Sequence, residues 1–566
     1  MGKRDIAAAI LGVLLTRQRR GFQALRSRLR QSAIVAWGEY WLSLGQQEAA
    51  SGLPQPNFSF ELARFLTAFP LLRKDSVLMD AANQARSQHG LPLFACLCWL
   101  ESIRYQLRWP VPSRNRSFAA WWQRNAGRLY LEAEQSLQVG ETEVQGSVAF
   151  ADRPFGVNLV GHAFSVFGLG ETVRLMAVGL EAAQIPYCIR DIPSLNGASD
   201  QDRSVASKVL ASDQPLPYAF TLFCMTASSQ LDTALRHGLW PGRHTYTIAN
   251  WFWETERWPE PLIPALRLVD EFWPCTRLIE TALQEPCRKL DIPVVRIPPV
   301  LDISSMRRQI AASRAETRAV HGLPPSAVLF VFSFDLRSMI SRKNPQAVLE
   351  AFQRAFGNGS GADVDSDVGL VIKSFPPTSP NPAWDRLKAI AAADARIKIV
   401  EANMNRQDLL ALYQCCDCFV SLHRSEGLGQ APAEALQLGL DVIATDYGGN
   451  TDYCDGPLAH PIPYRLVAIK SGEYPFPQGQ VWADPDVAYA AQAMQRVAHQ
   501  RRHQPSPDPS TVATYSERFS AAPVGRLYKQ RLEALWSDRS RLQALLDARY
   551  GTDHGNQALP AMPPWR

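Results

Sequence analysis

The sequence predicts an α/β protein made of two doubly wound, parallel-sheet (Rossmann-like) domains facing each other across a cleft, preceded by a helical extension. Three observations lead there. From about residue 155, short apolar runs alternate with helix-period stretches, as in strand–helix–strand units whose strands are buried on both faces. After 292–300 the alternation begins again, which calls for a second sheet. Before residue 150, apolar residues recur at three- and four-residue spacing, without the every-second-residue pattern of strands.

Taken in order, 1–150 should hold helices at 60–70, 76–89 and 94–107, parted by Pro and Gly. The first sheet takes strands at 157–160, 187–189, 219–225 and 246–252, with helices at 171–183 and 204–211. The second takes strands at 328–334, 369–373, 397–400, 418–422 and 441–444, with helices at 345–356, 382–393, 406–413 and 431–438. From 510 onward one more amphipathic helix, 523–535, precedes a frayed end. The division expected is 1–150 for the extension, 151–302 for the first sheet domain (acceptor side), 303–508 for the second (donor side) and 509–566 for a terminal helix and tail. Sheets of this kind bind ligands beyond the carboxyl ends of their strands, so the cleft between them is the expected site.

Composition excludes several classes. At roughly 150 residues per domain, 566 residues suggest two to four domains. The 46% hydrophobic and 20% charged content is that of a globular chain rather than a disordered one. Eight basic residues against Asp5 give 1–30 a net +7, leaving −2 for the rest of a chain whose total is +5. The basic character is local, and a dedicated nucleic-acid binder is not expected. Ten cysteines do not make a disulfide framework. Cys415, Cys416 and Cys418 lack a second cluster or paired His for zinc and read as buried thiols in a reducing compartment. No run approaches the roughly 20 apolar residues of a membrane span; 6–15 is ten residues long and ends in Thr-Arg-Gln-Arg-Arg, without a small-residue cleavage site. A cytoplasmic protein is expected; Phe22, Leu25 and Leu29 share a helical face among arginines, so 1–30 reads either as a peripheral contact at the inner face of a membrane or as a solvated or internally packed helix. The acidic stretch 358–367 lacks the remaining ligand of a calcium loop and reads as a solvated insertion.

The chemistry concentrates in 425–439. Gly427, Leu428 and Gly429 form a loop whose amides can approach a ligand closely. Pro432 suits a first helical turn, Glu434 is expected in that same turn, and Gly439 suits the stop. A helix start binds phosphate through free N–H groups and its dipole, yet Glu426 and Glu434 flank this one. A carboxylate beside a phosphate repels it unless it binds something else, and hydroxyls of a ribose and of a sugar are natural partners; the alternative is that Glu434 only favours the helix dipole and Glu426 is solvated.

Glu426 and Glu434, seven residues apart in between, resemble the E-x7-E signature of the family-4 retaining glycosyltransferases, which have the GT-B fold. The segments 422–427, 442–450, 342–345 (Arg-Lys-Asn-Pro) and 270–276 agree, so the resemblance covers about 155–535. It implies that Glu434 holds the ribose of a nucleotide diphosphate sugar (UDP- or GDP-linked), that Glu426 faces the sugar, and that amides of Gly427, Leu428 and Gly429, with Gly448 and Gly449 nearby, line the donor site. Lys343 would neutralise the departing diphosphate. The family's Gly-Arg pair ahead of this lysine is missing, the strand end reading Phe334-Asp335, so Arg337 or Arg342 substitutes. Gly168 and Gly170, in the loop after the first strand, would lie in the cleft. His162 reads as structural or functional, and the aromatic segment 250–254, followed by Trp258, as core or sugar-stacking, with no choice between them; Asn250 and Glu254 stand where many relatives have a His. The resemblance implies neither metal nor cofactor, a glycan or lipid-linked glycan acceptor, and a part in polysaccharide or lipopolysaccharide synthesis.

Two other readings compete. Gly168, Gly170 and Asp191 mimic a dinucleotide fingerprint, but Val173 occupies the third glycine position and six residues part Gly161 from Gly168. An NAD-dependent oxidoreductase is therefore the weaker reading. A degenerate, non-catalytic carbohydrate-binding protein is the other, opposed by the joint presence of Glu426, Glu434 and Lys343.

Overall fold

A computed structural model describes residues 148–550, apart from 194–200, 238, 311, 358–366, 378–379 and 519. The helices expected in 1–147, the basic segment 1–30 and nearly all of the acidic insertion lie outside the described residues.

Two parallel sheets form as the alternation requires. The first has strands β1 (Val157–Gly161), β2 (Tyr187–Asp191), β3 (Phe220–Met225), β4 (Tyr246–Trp251) and β5 (Glu271–Phe272), in spatial order β2-β1-β3-β4-β5. The second has β6 (Val328–Phe334), β7 (Val368–Ser374), β8 (Ile397–Glu401), β9 (Cys418–Ser421), β10 (Asp441–Thr445) and β11 (Ala459–Ile462), in order β11-β10-β9-β6-β7-β8. With the cleft between them this is the GT-B architecture. Every residue of β3, β4 and β7 is buried, which is why these strands read as continuous apolar runs rather than alternating ones. The order reverses between β1 and β3 in one sheet and between β6 and β9 in the other, and crevices open at such reversals.

Several expectations need correcting. No α-helix covers 204–211; only the 3-10 turn Ala206–Lys208 forms, because Val209 is drawn into a parallel bridge with Ile189 of β2 and Leu210 N donates to Ile189 O at 2.8 Å, which extends the chain beyond the turn. Glu434 is the fifth residue of Gln430–Leu438 rather than part of the first turn, because the helix starts at Gln430 after a left-handed Gly429 (φ +75°). The end beyond 535 is not frayed through Tyr550: Arg539–Tyr550 is helical, Leu542 and Leu546 are buried, and Tyr550 Oη donates to Asp270 at 2.8 Å. The helix before it, Ala521–Ser537, crosses back to the first sheet, where Tyr528 stacks on Trp273 at 5.7 Å. An antiparallel hairpin, β12 (Tyr464–Ala468) with β13 (Val481–Pro485), has no counterpart in the expected elements. Its loop carries Tyr474 and Phe476 onto Trp253 of the first domain, with ring centroids 5.7 and 6.4 Å apart.

Candidate active site

The two reversals face each other across a cavity of about 620 Å³, the size of a small-molecule or cofactor site. From the first domain come Val166 to Leu169 after β1, Thr226 to Ser228 after β3, and Phe252 to Glu254 after β4. The second domain supplies Arg342 and Lys343 after β6, Lys373 at the end of β7, Arg406 after β8, and Glu426 to Pro432 with Glu434 after β9. Each polar group thus sits at a strand's carboxyl end, where the backbone leaves the sheet and side chains are free to converge.

Glu426 is buried between two cations. Lys343 Nζ donates to its Oε1, and Arg342 Nη1 to its Oε2 at 3.1 Å. Burial alone would raise this carboxyl; Lys343, then Arg342, outweigh it and hold it down to about 2. Burial in turn pushes the Lys343 ammonium below its ordinary value, with Glu426 opposing. Arg342 also donates to Ser425 O at 2.9 Å and lies 3.8 Å from Glu254, whose other oxygen accepts from Tyr474 Oη. Arg342, not merely Lys343, therefore belongs to this cluster. Arg337 lies on the 3-10 turn Leu336–Ser338, and its side chain is outside what is described.

The loop holding Glu426 is tied down on all sides. Gly449 N donates to Glu426 O at 2.7 Å, Thr276 Oγ1 to Gly427 O at 2.8 Å, and Tyr453 Oη to Leu428 O at 3.0 Å. Beneath it, His423 is buried with Nδ1 on Ser421 Oγ (2.9 Å) and Nε2 on Tyr447 O and Asn450 Oδ1 (both 3.0 Å). Burial keeps this ring's pKa below its usual value, so it packs as neutral imidazole. Gly448 and Gly449 back the loop without lining the cavity.

Glu434 lines the cavity but is not vacant. Arg406 Nη1 donates to its Oε2 at 3.0 Å, Nη2 holds Oε1, and Nε reaches Glu171 Oε1 of the first domain at 3.2 Å. Burial raises the Glu434 carboxyl despite Arg406. In the first domain, Glu171 accepts from Arg174 at 2.7 Å, and Arg174 Nη1 donates to Ala163 O and Ser165 O at 2.8 Å each, fixing the loop after β1.

Gly168 lines the cavity; Gly170 does not. A Cβ on Gly170 would stand 2.1 Å from Ser165 O, so this glycine serves the close approach of loop and helix. Asp191, the acidic partner in the dinucleotide reading, accepts from Phe164 N at 3.1 Å and holds the same loop. His162 Nδ1 bonds Ile192 O at 2.7 Å, and Asn250 Nδ2 donates to Trp273 O at 2.6 Å. Trp251 is buried and stacks on Trp258 at 5.7 Å, whereas Trp253 reaches the cavity. Cys415, Cys416 and Cys418 are free and buried, and among the described residues no three His, Cys, Asp or Glu converge as metal ligands. Among the described helices none is long and apolar enough to cross a membrane.

Sequence reasoning missed Arg406, Lys373 and Tyr474. Arg406 had one signal: it opens a helix after the N-cap Asn405 at a strand's carboxyl end.

With this geometry in place, known proteins add the chemistry. The profile of the family described as glycosyl transferases group 1 matches residues 314–455, the stretch that supplies Arg342, Lys343, Arg406, Glu426 and Glu434. The chain is a glycosyltransferase. Similar solved structures include the Anabaena protein HepE in complex with UDP and glucose, at 12% identity over 68% of this chain and 100% of that one, with a TM-score of 0.47. A Burkholderia xenovorans UDP-forming α,α-trehalose-phosphate synthase has 12% identity over 67% and 99%, at 0.45. A Rickettsia africae glycosyltransferase has 12% identity over 67% and 98%, at 0.47. No curated protein matches the transferase in sequence.

Proposed function

We propose that this transferase moves a sugar, with retention at the anomeric carbon, from a UDP- or GDP-linked donor to a hydroxyl of a glycan or lipid-linked glycan, in polysaccharide or lipopolysaccharide assembly. One observation carries the reading: Glu426 and Glu434, the loop 427–429 and the cations Lys343 and Arg342 share one wall of a single interdomain cavity.

The diphosphate sits against Lys343 and Arg342, its ribose diol on Glu434, and the transferred sugar between Glu426 and the first domain. As the anomeric C–O bond breaks, negative charge grows on the leaving phosphate, and positioned cations stabilise it. The acceptor hydroxyl attacks from the same face, passing its proton to that phosphate oxygen, so the configuration is kept and no enzymic base is required. Glu426, ionised throughout the neutral range, orients both cations and remains a hydrogen-bond acceptor for a sugar hydroxyl.

The test is turnover of UDP- and GDP-sugars by the full chain, with product configuration read by NMR. Glu434→Ala should weaken donor affinity, and Glu426→Ala should lower turnover more than nucleotide affinity. Absence of turnover with any such donor, inversion at the anomeric carbon, or an untouched donor affinity and rate in Glu434→Ala would each overturn the reading.

A further inference from the structure

The carboxylate assigned to the ribose is held by Arg406, a cavity side chain to which no role has yet been given. Arg406 takes both oxygens of Glu434 in a fork and turns its Nε to Glu171 across the cleft. All three side chains line the cavity and all three are buried or nearly so. An arginine fork on a carboxylate uses two of about four acceptor positions, which leaves the outer lone pairs of Glu434 for a diol. Resting on the reading of Glu434 given above, we propose that Arg406 is the positioning residue of the donor site: it holds both oxygens of Glu434 oriented for the ribose, and it fastens that carboxylate to the acceptor domain through Glu171.

The surroundings explain the need. Glu434 is faced by Arg406 and Tyr413 of the helix Arg406–Gln414, by Gln430 of its own helix, by Glu171 of the helix Gly168–Ala182, and by Tyr453 after β10. Arg406 is the one cation in that set. Burial and Glu171 both oppose ionisation of Glu434, and Arg406 is chiefly what opposes them, so loss of Arg406 shifts the carboxyl further toward its protonated form. Each pH unit by which its pKa exceeds the pH removes tenfold of the ionised form.

The experiment is calorimetric titration of the full chain with UDP and with GDP at pH 7.0 and 8.5, a window above the second phosphate ionisation near pH 6. In the wild type, affinity should be flat across it. Arg406→Met should bind severalfold more weakly than the wild type at pH 7.0, and the deficit should shrink at pH 8.5, because burial and Glu171 favour the protonated Glu434. Arg406→Lys, which keeps the charge, should restore a flat profile. A pH-independent loss in Arg406→Met, or no loss, overturns the proposal while Glu434→Gln still weakens binding. If Glu434→Gln binds as the wild type does, or neither nucleotide binds the wild type, the assignment of Glu434 itself fails and this inference with it.

Discussion

Replacing Glu426 by Gln keeps the side chain's shape and removes its charge, which isolates what the two cations do for it. The fall of this carboxyl from 4.5 to about 2 corresponds to about 3 kcal/mol in favour of the ionised form. The folded pKa lies below the unfolded one, so this stability is fully present above about pH 4.5 and is lost as the pH falls through about 2. Glu426→Gln should therefore cost about 3 kcal/mol at pH 7 and about half that at pH 3, where unfolded wild type is already protonated. Lys343, whose pKa burial already lowers, can shed its proton in the variant, which caps the loss. For a domain of this size the cost lowers the thermal midpoint by about 6–12 °C at pH 7. Thermal unfolding of both proteins at pH 7 and pH 3 measures it. An equal drop at the two pH values, or none at pH 7, would show that the ion cluster does not stabilise Glu426 as argued.

Other predictions follow from single contacts. Because burial lowers the folded pKa of His423, the unfolded chain takes up the proton first; stability should fall as pH drops below about 6.5, by up to about 1.4 kcal/mol per unit, and His423→Gln should show a shallower fall in urea midpoints. Gly170→Ala drives a methyl to 2.1 Å from Ser165 O and should cost about 1–3 kcal/mol in denaturant unfolding, with nucleotide affinity kept. Tyr528→Ala empties a fully buried site stacked on Trp273 and should cost about 3–5 kcal/mol, read by loss of Trp fluorescence at lower urea.

Much of the second sheet was legible because its signals are local. The strand 328–334 and the helix 345–356 stand where the apolar period placed them, and a left-handed Gly439 ends its helix as expected (φ +84°). Illegible elements lacked such a signal. The helix Arg539–Tyr550 buries only Leu542 and Leu546 among charged residues, and it forms because Asp270 of the first domain accepts from Arg549 and Tyr550. The helix 204–211 failed for the opposite reason: its local periodicity gave way to a tertiary contact, Val209 pairing with Ile189 of β2 while Val205 and Val209 pack on the core.

The sequence by itself determined that strands and helices alternate in two successive runs, the stop at Gly439, and the pair Glu426 and Glu434, since a chain's periodicity and turn chemistry act over a few residues. Only the tertiary structure decided the charge on that pair. Lys343 meets Glu426 from 83 residues away, and Arg406 meets Glu434 from 28 away and Glu171 from 235 away. Ionisation in a buried site depends on which charges stand within a few ångströms, and that is settled by how two sheets close on each other.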